Sequence, residues 1–271
     1  MIDLSFVILT WNSNNYFARC LDSFIAQCLK ENISWEIIVV DNGSIDGTCE
    51  LAKSYCEKFT EQIYLLCLGK NFGTTYPRNL GLKQAKGNNC CILDSDTEFN
   101  SGSIRDVLNL LNNENIGMVA PQLLLPGNIV QNSVKKFPTF LDKLSKIPGI
   151  IFNKKVSQND FYETFPFQES RPVDTAISAC WFFQKSLLKK VGFLDEAIFY
   201  SPEDVDYCLR VNQSGLQIIY FPSVSILHHT QQISHRKPLS KVSRSHFTGL
   251  LYYFKKHGGW FQRPTFSHVP K

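Results

Sequence analysis

Apolar and polar positions in the first hundred residues alternate between short β-type runs and helical stripes. Residues 4–9, 36–40 and 63–68 are apolar runs of strand length, and residues 90–93 are apolar throughout, as in the covered centre of a parallel sheet. Between them, apolar residues recur at helical spacing, first at Phe17, Leu21, Phe24 and Cys28. Helices are therefore expected after the first strand, from about Thr48, and over 78–85. This alternation predicts a doubly wound, mostly parallel α/β sheet flanked by helices.

The pattern is less regular in the second half of the chain. A helix is predicted from Ile104 to Leu111 and a strand near Met118, whereas residues 126–172 contain several prolines and little periodicity. Beyond them we expect a strand or loop at 176–183 and helices at 186–192 and 203–213. Two separate strands, 216–221 and 224–227, are expected on either side of Pro222-Ser223.

Composition indicates the size of the core and the cellular compartment of the protein. The 271 residues are 44% hydrophobic and 19% charged, which suits one large α/β core or two modest ones. The sequence contains neither an apolar run near the ~20 residues of a membrane span nor a signal-peptide pattern at its start, so we expect a cytoplasmic protein. The nine cysteines form no CxxC pair and are interpreted as small buried hydrophobic residues rather than disulfides or zinc ligands.

Charge is distributed unevenly along the chain. The formal net charge is +4, but all 24 acidic residues lie at or before Asp206. The basic stretch from Tyr207 onward suits an anionic partner, either nucleic acid, a lipid surface or a phosphorylated substrate, or is simply a solvated basic face. We find no recognised nucleic-acid-binding module, and the acidic residues of the first 206 positions oppose such binding.

Polar clusters follow three of the predicted strands. They are Thr10-Trp11-Asn12, Asp41-Asn42-Gly43-Ser44 and Asp94-Ser95-Asp96. One such cluster alone is more simply a turn cap, but the carboxyl ends of parallel strands share one sheet edge, where ligands bind. Three clusters at that edge therefore favour a ligand site.

Asp94 and Asp96 are two residues apart, so in extended backbone their carboxylates project to the same side. Two such carboxylates repel each other unless a divalent cation lies between them, and Mg²⁺ or Mn²⁺ commonly bridges carboxylates to diphosphate oxygens. The sequence has no P-loop and no GxGxxG after the first strand, which leaves a metal-held diphosphate as the simplest interpretation.

A second acidic cluster, Glu203-Asp204-Val205-Asp206, opens a predicted helix near His228-His229. Acidic residues stabilise the first turn of any helix, so capping explains part of this cluster. The cluster has more acidic residues than capping requires, and His228 ends the predicted strand 224–227. Together they predict a second part of the ligand site.

These motifs, in this order, resemble the family 2 glycosyltransferases of the GT-A fold, particularly the rhamnosyltransferase-like enzymes of bacterial surface polysaccharide assembly. The resemblance extends from the first strand to about His229 and also includes Val39–Thr48, Asn71-Phe72-Gly73, Arg78-Asn79-Leu80-Gly81 and the continuation Tyr207-Cys208-Leu209-Arg210. It implies a catalytic domain over 1–230, with a nucleotide-sugar half (1–100) and an acceptor-side half (101–230), and a C-terminal helical tail over 231–271.

The resemblance also implies roles for individual residues. Nucleotide-sugar contacts are expected from Thr10, Trp11, Asn12, Asp41, Asn71, Gly73, Arg78, Asn79, Asp94 and Ser95. Asp96, His228 and Asp94 would hold Mn²⁺ or Mg²⁺, and Asp204 would be the general base of an inverting single displacement. Glu203 and Trp181 are expected on the acceptor side, although Trp181 is equally explained as a core residue. Position 11 departs from the family pattern, because this chain has Trp11 where related enzymes often have Tyr or another residue.

The resemblance leaves the donor open between dTDP-rhamnose and a UDP-sugar, and implies a glycan acceptor carried on a polyprenyl diphosphate. In the tail, Phe247, Leu250, Leu251 and Phe254 recur at helical spacing among basic residues. This predicts either a peripheral contact with the inner face of the membrane or a helix packed on the catalytic domain. The alternative functions are a noncatalytic nucleotide- or glycan-binding module, opposed by the intact Asp96, Asp204 and His228, and a sugar nucleotidyltransferase, whose glycine-rich basic loop is absent.

Overall fold

The first half of the chain consists of alternating strands and helices. The computed structural model describes residues 1–151, 159–230 and 241–269. Its first elements are β1 (Leu4–Thr10), α1 (Asn14–Lys30), β2 (Trp35–Asp41), α2 (Thr48–Lys58), β3 (Ile63–Cys67), α3 (Thr75–Gln84) and β4 (Asn89–Asp94). The apolar runs predicted as strands match these elements to within one or two residues at each end, and helix α3 begins three residues before the predicted start.

The second half contains more elements than the sequence pattern predicted. They are β5 (Thr97–Ser101), α4 (Ile104–Leu110), β6 (Ile116–Leu125), β7 (Ile129–Val130), β8 (Val134–Lys135), α5 (Phe140–Ile151), β9 (Arg171–Pro172), β10 (Thr175–Ala176), β11 (Cys180–Gln184), α6 (Leu187–Lys190), α7 (Glu203–Gln213), β12 (Gln217–His228) and α8 (Lys241–His257). Helix α5 and four short strands lie within or beside the stretch for which no element was predicted.

The prediction of two strands around Pro222 was wrong, because β12 is continuous. Its register with β6 shifts between Phe221 and Ser225. A bulge of this kind accommodates a residue that has no backbone N–H to donate, so Pro222 interrupts the pairing without ending the strand.

One sheet of ten strands organises the molecule, with the main order β3-β2-β1-β4-β11-β6-β12-β5. Strands β3, β2, β1 and β4 are parallel, as are β6 and β12, whereas β11 lies antiparallel between β4 and β6. The carboxyl ends of β1, β2 and β4 consequently meet at one edge, as the mostly parallel α/β prediction requires. The neighbouring strand β12 ends at His228 beside the start of β5.

Side-chain alternation along the strands creates a core on each face of the sheet. Phe6 and Ile8 pack on one face with helix α1, whereas Val7 points to the opposite face. Phe6 and Phe24 meet edge to face, with ring centroids 5.4 Å apart. Both faces of the central strands are therefore covered, which explains their continuous apolar runs. Six of the nine cysteines are buried, as predicted, whereas Cys49 and Cys56 are half-buried and Cys67 is exposed.

Helix α8 packs on the catalytic part of the chain. Leu250, Tyr253 and Phe254 are buried, and a Cβ atom at Gly249 would lie 2.3 Å from the carbonyl oxygen of Ser201. Phe247, assigned to the same stripe, is 50% exposed. The packed-helix interpretation is thus right for Leu250, Tyr253 and Phe254 but not for Phe247, and residues 231–240 and 270–271 of the predicted tail lie outside the described residues.

Within the described ranges, none of the helices combines the length and the apolar character that crossing a bilayer requires.

Candidate active site

A cavity of about 350 Å³ opens at the carboxyl edge of the parallel strands. Its walls come from the segments that follow β1, β2 and β4, from the loop before α7, and from the end of β12. Among the lining residues are Trp11, Ser13, Asn42, Asn71, Gly73, Arg78, Asp94, Ser95, Asp96, Ser178, Tyr200, Glu203, Asp204 and His228. Residues separated by up to two hundred positions in sequence are therefore brought together.

Asp94, Asp96 and His228 form a cluster in which one potential ligand atom of each residue lies within 4.8 Å of the others. Asp94 ends β4, Asp96 lies in the turn before β5, and His228 ends β12. The expectation of extended backbone at Asp94–Asp96 was wrong, because Ser95 and Asp96 form a turn. Thr97 Oγ1 donates to the Asp94 carbonyl over 2.7 Å and stabilises this turn.

The cluster is electrostatically suited to a cation. Burial, followed by the neighbouring Asp94 charge, raises the pKa of Asp96. His228 Nε2 lies 3.6 Å from Asp96 Oδ1, and its Nδ1 is 2.9 Å from Oε1 of Gln131. With Gln131 as acceptor at Nδ1, the Nε2 lone pair is free for a ligand. Two carboxylates and one imidazole are a donor set that fits Mn²⁺ or Mg²⁺.

Arg78 connects this cluster to the acidic start of α7. Its Nη2 donates to Asp94 Oδ1 over 2.6 Å, and its Nη1 donates to Glu203 Oε1 over 3.2 Å and to Ser178 Oγ over 3.0 Å. The Arg78 side chain is only 3% exposed. Arg78 was expected to contact the nucleotide; the structure shows a buried guanidinium whose Nη groups are held by protein atoms, with one edge at the cavity.

Glu203 and Asp204 occupy adjacent positions but different environments. Burial and the Asp204 charge raise the pKa of Glu203 to about 8, although Arg78 acts in the opposite direction. Asp204 is half-buried, and its Oδ1 accepts a hydrogen bond from the Val205 amide over 2.8 Å. Both side chains line the cavity that also contains Asp96 and His228. The two predicted acidic clusters therefore share one cavity.

The residues assigned to the nucleotide divide into two groups. Trp11, Asn71, Gly73, Arg78, Asp94 and Ser95 line the cavity, whereas Thr10, Asn12, Asp41 and Asn79 are not among its lining residues. Thr10 Oγ1 donates to Asp41 Oδ1 over 3.0 Å, and both residues are almost fully buried. Asn79 bonds to the Leu194 carbonyl and to Glu196. In the structure this second group supports the wall of the cavity.

Trp181 lies away from the cavity. It is fully buried in β11 and stacks on Tyr207, with ring centroids 6.0 Å apart and an interplanar angle of 21°. The assignment of Trp181 to the acceptor side was therefore wrong, and the core interpretation is right. Its alternation along β11 places it on the face of the sheet covered by α7.

Several residues at or near the cavity were not predicted. Asn42 Nδ2 donates to the Gly73 carbonyl and its Oδ1 accepts from the Phe72 amide, so this side chain fixes the Asn71–Gly73 loop. Asn42 was visible in the Asp41–Ser44 motif, whereas Ser178 and Gln131 carried no sequence signal. Gln131 directly follows the short strand β7, and Ser178 follows the short strand β10. The pairings of these two strands have no local sequence pattern.

The loop before α7 is held tightly against the start of α3. The Thr74 amide donates to the Phe199 carbonyl over 2.7 Å, and Thr75 Oγ1 donates to the Ile198 carbonyl over 2.7 Å. Gly73 has φ +85°, and a Cβ atom there would lie 1.9 Å from the Phe199 oxygen. Only glycine fits this close approach, which brings the nucleotide-side loop and the α7 loop together.

Comparison with known proteins gives matches over most of the chain. The profile of the family "Glycosyl transferase family 2" matches residues 5–192, more than half of the sequence. An N-acetylglucosaminyl-diphospho-decaprenol L-rhamnosyltransferase of Mycobacterium tuberculosis is 24% identical over 274 residues, covering 96% of this chain and 87% of the relative. A low-salt glycan biosynthesis hexosyltransferase of Haloferax volcanii is 24% identical over 236 residues, covering 83% of this chain and 67% of the relative.

Solved structures share the architecture at low sequence identity. GalNAc-T7 with UDP, GalNAc and Mn²⁺ superposes with a TM-score of 0.71 at 13% identity, over 94% of this chain and 48% of that protein. TarS of S. aureus, residues 1–349 with UDP-GlcNAc, superposes with a TM-score of 0.59 at 19% identity, over 86% of this chain and 60% of that protein. The chain thus spans about half of the first solved protein, and these likenesses show the GT-A fold.

Proposed function

The chain belongs to glycosyl transferase family 2, and from this premise we propose that it is a metal-dependent, inverting glycosyltransferase. It transfers a sugar from a nucleotide-diphosphate donor to a hydroxyl of a lipid-linked glycan. One observation carries this proposal: Asp94, Asp96 and His228 line the same cavity as Asp204. A site for the diphosphate and a site for a base therefore lie within reach of a single substrate pair.

A divalent cation is assigned to Asp94, Asp96 and His228. When bound, Mn²⁺ or Mg²⁺ neutralises the negative charge that develops on the departing diphosphate. The raised pKa of Asp96 supports this assignment, because a cation at the cluster would offset the repulsion from Asp94. Gln131 would hold the His228 ring in the orientation that directs Nε2 toward the ion.

Asp204 is assigned as the general base, and its neighbour Glu203 is not. A carboxyl whose pKa is raised to about 8 is mostly protonated near pH 7 and cannot accept a proton efficiently. Asp204 lies at the cavity wall, partly solvated. In the proposed reaction the acceptor oxygen forms a bond to the anomeric carbon, the bond from that carbon to the diphosphate breaks, and Asp204 takes the hydroxyl proton.

Glu203 is assigned to the acceptor side of the cavity. Its carboxyl accepts from Arg78 and Ser178, which keeps it in place beside Asp204. Protonated Glu203 would donate a hydrogen bond to an acceptor oxygen. Trp11, Asn71, Gly73 and Ser95 are assigned to the donor nucleotide from their positions in the cavity wall. Thr10, Asn12, Asp41 and Asn79 are proposed to fix that wall rather than to contact the nucleotide.

Substrate class is proposed from the relatives. The mycobacterial relative is named for rhamnose transfer to a sugar on decaprenyl diphosphate, and the solved TarS structure is described as a complex with UDP-GlcNAc. We extend to this chain a dTDP- or UDP-linked donor and a polyprenyl-diphosphate-linked acceptor. A peripheral position at the inner membrane face follows, and the exposed Phe247 and Phe261, at 50% and 76%, support it.

A donor panel tests the proposal. Thermal unfolding of the full chain is followed with UDP, dTDP, GDP and their sugars, each with and without Mn²⁺. We expect stabilisation by one base only, with Mn²⁺ required, and release of the nucleoside diphosphate on turnover. Conversion of an added nucleoside triphosphate and sugar 1-phosphate to a nucleotide sugar, with release of inorganic pyrophosphate, would instead assign the site to a nucleotidyltransferase. Stabilisation that is unaffected by EDTA would contradict the metal assignment.

A further inference from the structure

Two lysines pair with one buried carboxylate, and a third lysine lies beside them. Lys143 Nζ lies 3.2 Å from Asp160 Oδ2, and Lys146 Nζ lies 2.6 Å from Asp160 Oδ1. Lys135 Nζ lies 4.8 Å from the ring centroid of Phe161, over which Lys146 Nζ also lies, at 5.5 Å. We refer to Lys135, Lys143, Lys146 and Asp160 as the lysine cluster.

The lysine cluster has an excess of positive charge. The Asp160 side chain is 1% exposed and pairs with two of the three ammonium groups. Lys135 has no carboxylate partner among the described residues, and residues 152–158, 231–240 and 270–271 contain no Asp or Glu. Burial, and then the charge of Lys143, lowers the pKa of Lys135. A partly desolvated cation beside two others is unfavourable unless an anion joins it.

Strand pairing connects the lysine cluster to the cavity wall. Lys135 pairs with Thr175 across β8 and β10, and the chain continues from β10 directly into Ile177 and Ser178, which line the cavity. On the other side of β10, Cys208 Sγ lies 3.9 Å from the Ala176 carbonyl. Asp204 lies one helical turn before Cys208.

Lys135 also follows Gln131, the partner of His228, by only four residues, a span of at most about 13 Å. The Asp204 charge is the last of the contributions that act on the pKa of Lys135, and it acts to raise it. The four residues of the lysine cluster do not line the cavity themselves; the cluster lies beside β10, which continues into the cavity wall at Ile177 and Ser178.

We propose that the lysine cluster binds the diphosphate of the lipid-linked acceptor. This inference rests on the proposed function, in which the donor diphosphate belongs to Asp94, Asp96 and His228. The acceptor sugar would present its hydroxyl to Asp204, and the diphosphate joined to that sugar would extend toward Lys135. Ammonium groups bind phosphate oxygens through charge-assisted hydrogen bonds. Lys135 has no carboxylate partner in the part of the chain that the structure describes, and recognition of a neutral sugar would not need its charge, whereas binding of a diphosphate would.

Binding of three probes to the full chain tests this site, with UDP and Mg²⁺ present at saturation to occupy the donor site. The probes are farnesyl diphosphate, inorganic pyrophosphate and farnesol, measured by isothermal titration calorimetry. Lys135→Gln is the test variant, because its ammonium is not needed by Asp160. Lys30→Gln, at an exposed position at the end of α1, removes the same charge far from the cavity and is the matched control.

Farnesyl diphosphate is expected to bind the wild type and the Lys30 variant, and to bind the Lys135 variant roughly tenfold more weakly. Farnesol is expected not to bind, and inorganic pyrophosphate to bind more weakly than the farnesyl compound. Equal affinity for the two diphosphates would assign the cluster to a free diphosphate and overturn the acceptor assignment. Unchanged affinity in Lys135→Gln, or displacement of farnesyl diphosphate by UDP, would also overturn it. If UDP does not bind, dTDP takes its place in this experiment, and failure of both nucleotides to bind would contradict the proposed function instead.

Discussion

Arg78 Nη2 lies 2.6 Å from Asp94 Oδ1, and this ion pair joins the helix after the nucleotide-side loop to the acidic end of the central strand. The other terminal nitrogen of the same guanidinium reaches Glu203, at the start of α7. A single buried cation therefore fixes the distance between the proposed metal cluster and the helix that carries the proposed base. The fork geometry of arginine suits this bridging, whereas a lysine ammonium would be a single point charge.

Replacing Arg78 should destabilise the fold. In Arg78→Met, Asp94 loses its ion pair and the buried Glu203 carboxyl loses a hydrogen-bond donor, and a buried polar group left without its partner is costly. We expect the free energy of unfolding to fall by about 3 kcal/mol or more. Urea denaturation measures it. Arg19→Gln is the control, because Arg19 forms an exposed pair with Glu98 and should change stability by less than about 1 kcal/mol. Equal losses in the two variants would refute the structural role of Arg78.

Asp204→Asn should abolish most of the transfer while the donor still binds. The amide keeps the size of the side chain but cannot accept the hydroxyl proton, so kcat should fall by roughly 10² to 10⁴. Nucleotide affinity, measured by calorimetry, should not change. Asp106→Asn, at an exposed position on α4, is the control for loss of a surface charge. Turnover close to that of the wild type would remove Asp204 from the role of base.

Gln131→Leu should weaken metal binding without removing a ligand. Gln131 orients His228 through Nδ1, and changes to such supporting partners typically cost 10- to 100-fold in metal affinity. Mn²⁺ binding to the full chain, followed by electron paramagnetic resonance, measures this loss. Gln131→Glu retains an oxygen acceptor at the same position and should lose less. An unchanged Mn²⁺ affinity in the leucine variant would show that His228 does not depend on this contact.

Asp206 should make stability depend on acid pH. Burial raises the pKa of Asp206, but His257, Arg210 and Lys256 outweigh it and lower the pKa to about 2. Since the ordinary value is 3.8, the stabilisation is fully present above that pH and is lost as the pH falls through 2, by roughly 2 kcal/mol.

Comparison of Asp206→Asn with the wild type isolates this contribution. Urea unfolding between pH 6 and pH 2 should show a difference in stability that is largest at pH 6 and shrinks below pH 4. Loss of the ion pairs to Lys256 and His257 should also loosen α8, which amide hydrogen exchange over residues 245–257 would detect. A difference that stays constant across the pH range would contradict the lowered pKa of Asp206.

Local patterns in the sequence determined the first half of the fold. Strands β1 to β4 are covered on both faces, so their apolar runs have few alternative interpretations, and short connections impose the parallel order. The same logic placed Asp94, Asp96 and His228 at strand ends, where they meet in the structure. The sharing of one cavity by these residues and Asp204 agrees with the arrangement that the family resemblance implied.

Tertiary structure alone decided the features that depend on pairing between distant segments. Strands β7 to β10 have only two residues each, too few for any periodicity, so neither Gln131 nor Ser178 could be placed. Trp181 shows the same limit: a residue type that suits sugar contact is equally suited to burial. Only the packing of β11 under α7 distinguishes the two outcomes. Sequence determines which groups are available, whereas long-range contacts determine whether each faces solvent, substrate or core.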